Sequence, residues 1–303
     1  MKEKTFIEKL GFNNNDKVVI FHIDDMGSSH AANVAAFECL DFGVMSCGSA
    51  IVPSPWFLEV AEICRNNPNY DVGVHLALTS EYNLYRWRPL STVDPLSGLL
   101  DDEGFMWKTI ERVGVNVTSE IAEAELRAQI EFALACGIDV THIDSHMSCM
   151  LIPKFSQIYM RLANEFKIIP LFPKITREFL AANNLKEYFD FFKESIHQFK
   201  ELGFPQVDHV IQDTGTTEEN YIEYYCNHFA KIKPGLTHFL IHPAKMSPEL
   251  TAIMDTSPHV EGGAMKRDQD YKSFIDPRIK DCVEKYDLKI IGYRKIRDYL
   301  WHT

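Results

Sequence analysis

The sequence has no surplus of positive charge. Its 31 Lys and Arg face 43 Asp and Glu, a formal net charge of −12. A nucleic-acid or anionic-membrane partner requires a basic surface, so neither is expected. Long apolar runs are also missing: no stretch approaches the ~18 residues of a membrane span. The opening MKEKTFIEKLGFNNND has no apolar core resembling a signal peptide. The seven cysteines (Cys39, Cys47, Cys64, Cys136, Cys149, Cys226 and Cys282) are odd in number and never spaced as CxxC. That pattern argues against a disulfide framework or zinc knuckle and predicts reduced thiols in a cytosol. There is no Walker loop, GxGxxG, GxSxG or HExxH, which removes the usual nucleotide-binding, α/β-hydrolase and zincin readings. Repeats, low-complexity tracts and Pro/Ser-rich linkers are absent as well. One cytoplasmic domain spanning 1–303 is expected.

What is present is a rhythm. Apolar runs read as strands at 17–24, 45–52, 70–78, 140–146, 168–172, 208–213, 236–242 and 288–293, with helical patterns between most of them. The clearest helices are 118–136, opened by Thr118-Ser119-Glu120 and stopped by Gly137, then 154–167 after Pro153, and 216–232. Such alternation predicts a parallel sheet with right-handed crossovers. Eight strands in about 300 residues suit a (β/α) barrel, distorted or incomplete. A doubly wound open sheet is the alternative. Residues 80–117 break the rhythm with Tyr82, Tyr85, Trp87, Trp107 and several turns; this irregular insertion is read as a lid or rim near the site.

Ionisable residues collect where strands end. Asp24 and Asp25 close the first strand, His75 the third, His142, Asp144 and His146 the fourth, and His242 a late one. In parallel α/β folds these ends converge on the ligand site. Residues 142, 144 and 146 alternate by two and so share one face. Together they form a mixed N/O set that suits a divalent cation. Each feature alone has a structural explanation: a core histidine, a hydrogen-bonded network, or a helix start capped by Ser28 or Ser29. Four strand ends acting together are harder to explain that way. His22, His30, His197, His209, His228, His238, His259 and His302 show no comparable arrangement and are read as structural or solvated. Asp276-Pro277-Arg278 reads as a helix start or turn.

The ordered set DDMG, GVHLALT, HIDSH and a late HPA resembles the YdjC-like carbohydrate deacetylases, the ChbG/HpnK family, over roughly residues 17 to 292. The insertion's Arg88-Pro89-Leu90-Ser91 and Leu99-to-Phe105 segments resemble that family's too. The resemblance implies a distorted barrel of the NodB-like deacetylase kind. It also implies removal of acetyl groups from N-acetylated mono- or oligosaccharides, chitooligosaccharides among them, with one divalent metal, Mg2+ or Zn2+. Carried over by position, Asp25, His75 and His146 would hold the metal, Asp24 would be the general base and His242 the acid. His142 and Asp144 would orient ligands or base, and Tyr85, Trp87 and Arg88 of the insertion would meet the sugar. The chain departs from the family pattern twice. His22-Ile23-Asp24-Asp25 stands where N-A-D-D is usual, and His146-Met147-Ser148-Cys149-Met150 lacks the family's further histidines.

Two rival readings keep the same residues: a metal-dependent phosphoesterase, and a sugar-binding protein without turnover. The phosphoesterase ranks lower because no arginine or phosphate loop is apparent near the motifs. A homodimer is compatible with the chain.

Overall fold

The apolar runs become strands because a buried parallel sheet asks for side chains that are apolar on both faces. In the computed structural model, which describes residues 4–182, 184–212, 215–217, 219–254 and 263–301, eight strands form. They are β1 (Lys17–Met26), β2 (Cys47–Ala50), β3 (Val72–Leu76), β4 (Val140–Ser145), β5 (Ile169–Pro170), β6 (His209–Ile211), β7 (Gly235–Ile241) and β8 (Leu288–Ile290). Every pairing is parallel, in the order β5-β4-β3-β2-β1-β7-β6, with β8 on β1. Consecutive strands are neighbours along most of that path, and the two ends meet through a bridge between Pro173 and Val207. This is a barrel and not a doubly wound sheet. It is distorted at β1. β7 occupies one edge of β1 from Lys17 to Ile23, so β8 (at Lys17–Val19) and β2 (from His22 onward) must share the other.

The core is apolar, built from residues such as Val18, Ile20, Ile23, Val74, Leu76, Ile143 and Ile241. No helix among the described residues is long and apolar enough to cross a membrane. The helix Ser119–Ala135 starts at Thr118, as its sequence signals predict. It also fixes the insertion. Gln129 Nε2 donates to Ala77 O (2.7 Å) while Ala77 N–H donates back to Gln129 Oε1 (3.1 Å). The Glu125 carboxylate accepts from the backbone of Leu90 and Ser91. Buried backbone leaving the end of a strand needs such partners. Tyr82, Trp87 and Met106 then pack with Leu250 and Ile253 in a second, smaller core over the rim.

The thiols need one correction. Cys226, on the helix Tyr221–Ala230, is joined to Cys282, on the helix Pro277–Lys285, with Cα atoms 5.7 Å apart. The two helices are neighbours in space although 56 residues separate the cysteines, a proximity that spacing rules do not register. The other five cysteines are free thiols, four of them buried. His259 and His302 lie outside the described residues.

Candidate metal and catalytic site

β1 ends in a device that decides the site. Asp25 has φ +63°, left-handed backbone in a residue other than glycine, and the register with β2 slips between Ile23 and Met26. Adjacent residues of a regular strand point apart. The left-handed turn instead brings Asp24 and Asp25 onto one cavity. Such backbone costs on the order of 1–2 kcal/mol and persists only where the surroundings impose it. Ser29 caps the helix His30–Phe42 that follows, accepting from Ala32 N.

Asp25 Oδ1 is buried without a hydrogen-bond partner. It faces two imidazole nitrogens, His146 Nδ1 at 3.2 Å and His75 Nε2 at 3.4 Å. Each ring is fixed from behind. His75 Nδ1 donates to Asp144 Oδ1 (2.8 Å), and Ser49 Oγ donates to the other oxygen of that carboxylate (2.9 Å). His146 Nε2 donates to Glu81 Oε2 (2.9 Å). A carboxylate behind each histidine, with the free nitrogens turned toward one orphan oxygen, is the donor arrangement that holds a metal ion. The fit is therefore good. Among the described residues two other groupings of buried donors contain His22 and a third joins Asp24, His75 and Asp144, but His22 spends both nitrogens on protein partners and Asp144 spends its two oxygens on His75 and Ser49.

The electrostatics fit as well. Burial pushes the Asp25 carboxyl up, but Arg267 (Nη2 to Oδ2, 2.6 Å) and His146 hold it well below the usual carboxylate range. Burial lowers His75 and His146, yet Asp144 and Asp24 raise His75 to about 9, and Glu81 and Asp25 raise His146 to about 10. Without a cation, protons fill the place of positive charge.

Asp24 sits beside this set. Its Oδ1 accepts from His22 Nδ1 at 2.7 Å, while Oδ2 lies 3.8 Å from His242 Nε2 and 4.0 Å from His75 Nε2. Burial raises its carboxyl, but the charge of His75 and the bond from His22 more than compensate and leave it lowered. Behind His22 runs a buried chain: His22 Nε2 to His142 Nε2 (2.8 Å), then His142 Nδ1 to Thr141 Oγ1 (2.8 Å), which bonds Asp71. Gly73 leaves room for it, since a Cβ there would stand 2.7 Å from the His142 ring.

The structure thus brings Asp24, Asp25, His75, Asp144, His146 and His242 to one cavity. His142 lies deeper, and reaches Asp24 only through His22. Tyr85, Trp87 and Arg88 do not line the cavity. The Tyr85 hydroxyl donates to Ser28 O, the Trp87 indole N–H donates to Thr79 O in the rim core, and Arg88 is exposed over Phe105. The insertion supplies Glu81 and Tyr82 instead. Three residues escaped the sequence reading: Glu81, Arg267 and His22. His22 alone left a signal, because residues 22 and 24 of one strand share a face. Arg267 also corrects the expectation that no arginine stands near the motifs. Arg278, by contrast, is spent on Asp276, the cap of its own helix.

The sequence pattern of the family described as "YdjC-like protein" matches residues 18–285. The chain belongs to the YdjC-like family. A Thermus thermophilus relative named "Carbohydrate deacetylase" is 30% identical over 295 residues, covering 97% of this chain and 99% of the relative. A Listeria innocua protein named "Carbohydrate deacetylase 1" is 33% identical over 153 residues, 50% of this YdjC-like chain and 58% of its own. The crystal structure of a putative cellobiose-phosphate cleavage protein from Enterococcus faecalis superposes with a TM-score of 0.72 at 21% identity, over 93% of this chain and 99% of that one. That likeness establishes the fold.

Proposed function

We propose that this protein is a metal-dependent hydrolase that removes acetyl groups from N-acetylated sugars of the chitooligosaccharide type. The observation that carries the reading is the unpartnered Asp25 Oδ1 between His75 and His146, with a second carboxylate, Asp24, beside it. The full-length relative named as a carbohydrate deacetylase supports the substrate class.

A divalent cation there would be held by Asp25, His75 and His146 and would supply Lewis acidity toward an amide carbonyl and toward water. The protein's own groups do the rest. His22 occupies Asp24 Oδ1, so Oδ2 is the oxygen turned to the cavity and free to take the proton of the attacking water. His242 is pushed down by burial and stands neutral in the free protein. The proton it delivers to the leaving amine is therefore one it first takes up in the site; Asp24 Oδ2 is 3.8 Å away, a span that one water closes.

The test is acetate release from N-acetylated chitooligosaccharides, abolished by a chelator. In the same assay Asp25→Asn loses the metal. Asp24→Asn keeps it and turns over at least ~10²-fold more slowly, the scale of general-base loss. No acetate from any N-acetyl sugar, with metal present, sinks the reading. Metal lost from Asp24→Asn and kept by Asp25→Asn reverses the two roles.

A further inference from the structure

The cavity, about 460 Å³, is divided in its chemistry. One half is polar and holds Asp24, Asp25, His75, Glu81, His146 and Arg267, brought by β1, β3, the insertion after it, the end of β4 and the helix Gly263–Phe274. The other half lies where the sheet closes between β5 and β6. Met150, Met160, Phe172, Phe179, Phe192 and Phe199 line it. Two polar residues on that side, Ser156 and Tyr159, spend their hydroxyls on the backbone carbonyls of Pro153 and Ile143. Asn184 and Gln212 belong to the same side. Sugar hydroxyls laid against such a wall would exchange water for side chains that offer few hydrogen bonds, at a cost. An acetyl group ends in a single methyl and would cover little of it. Hydrocarbon belongs there.

The amide of an N-acylated sugar has two arms: the sugar on nitrogen and the acyl chain on carbon. The apolar wall begins at the reacting groups themselves, with Met147 following His146 and Leu240 two residues before His242. With the sugar held by the polar half, the acyl carbon is the arm that faces the wall. Building on the hydrolytic reading above, we infer that the preferred substrate is an amino sugar N-acylated by a chain of several carbons. The apolar half of the cavity is the acyl site. The reaction is unchanged in kind. Water oxygen bonds to the acyl carbon, the C–N bond breaks, nitrogen takes a proton, and a medium-chain carboxylate and a free amino sugar depart.

The experiment follows glucosamine release from N-acetyl-, N-butanoyl-, N-hexanoyl- and N-octanoylglucosamine by the metal-loaded protein. Calorimetric binding of the same series to metal-free protein accompanies it. The expected kcat/KM rises about fourfold per methylene up to hexanoyl, the effect of burying each CH2. Affinity of the metal-free protein rises in parallel, and Phe192→Ser lowers the hexanoyl-to-acetyl ratio at least tenfold. A flat or falling series, in protein that does release glucosamine from the N-acetyl compound, overturns the acyl site and leaves the deacetylase reading standing. The same flat series with octyl N-acetylglucosaminide outpacing N-acetylglucosamine also overturns it, assigning the wall to an aglycone. No amine from any compound, with binding that still strengthens with chain length, sinks the hydrolytic reading and keeps the acyl site.

Discussion

His22 settles how Asp24 meets the cavity. A carboxylate with one oxygen held at 2.7 Å has a single free face, and the buried bond from His22 to His142 keeps the donor ring from turning away. His22→Leu is expected to lower kcat by about 10–100-fold, less than loss of the base role proposed for Asp24, with metal stoichiometry and KM little changed. His22→Asn keeps a side-chain N–H toward Asp24 and recovers most of the loss, although it gives up His142. Full kcat in a folded, metal-loaded His22→Leu protein would show that Asp24 needs no such hold. Metal loss would place His22 in support of the ligands instead. The pairing of Asp24 with Asp25 was half legible at this scale. Two carboxylates at a strand end announce a site, but a regular strand sends them to opposite faces. The left-handed turn at Asp25 that reunites them has only a weak residue-type signature, because glycine is the residue that chiefly marks such turns and aspartate adopts them only occasionally.

Among the elements, the insertion between β3 and β4 carries more than a covering role. It delivers Glu81, buried and bonded to His146 Nε2 at 2.9 Å. Burial raises that carboxyl, yet His146 brings it below its ordinary value, so it stays charged behind His146. Glu81→Gln preserves shape and removes the charge. Metal affinity is expected to fall 10–100-fold, the usual effect of losing a ligand's supporting carboxylate. Unchanged affinity in a competition titration would reduce Glu81 to packing. The strands themselves were readable because burial on both faces leaves unbroken apolar runs such as Val18-Val19-Ile20-Phe21, and the site residues at their ends follow from the fold rule alone. Glu81 and Arg267 were not readable. One sits in a segment without periodicity, and the other reaches Asp25 across 242 residues of chain from a polar helix. Tyr85 and Trp87 drew attention as aromatics in a loop, yet their rings serve the rim core, where Trp87 packs against Tyr82 and stands 5.9 Å from the His146 ring. An aromatic in a loop carries no mark of whether it will face ligand or core.

Seen as a whole, the barrel buries an ionisable cluster whose members pull stability in opposite directions. His142 and His238 are held neutral by burial first and by the charge of His22 next. His142 falls well below its ordinary value, and His238 drops to about 3. The unfolded chain takes up protons on these two as pH falls below about 6.5, and the folded protein does not. Their contribution is thus present above pH 6.5 and is lost toward about 3. His75 and His146 behave in reverse in the metal-free protein. With folded values of about 9 and about 10, their contribution is full below about 6.5 and is lost as pH rises through 9 to 10. Urea-unfolding free energy of the metal-free protein should therefore peak near pH 6.5 and fall on both sides. The slope is bounded by about 1.4 kcal/mol per pH unit for each proton exchanged. A divalent cation bound at the proposed site would displace the protons from His75 and His146, so saturating metal should flatten the alkaline side. Replacing His238 with Phe should flatten the acid side, because one of the two groups that must stay neutral is gone. If metal-free protein is as stable at pH 9 as at pH 6.5, the pairings of His75 with Asp144 and of His146 with Glu81 do not hold their protons as the geometry requires. The supporting carboxylates would then be oriented differently in solution.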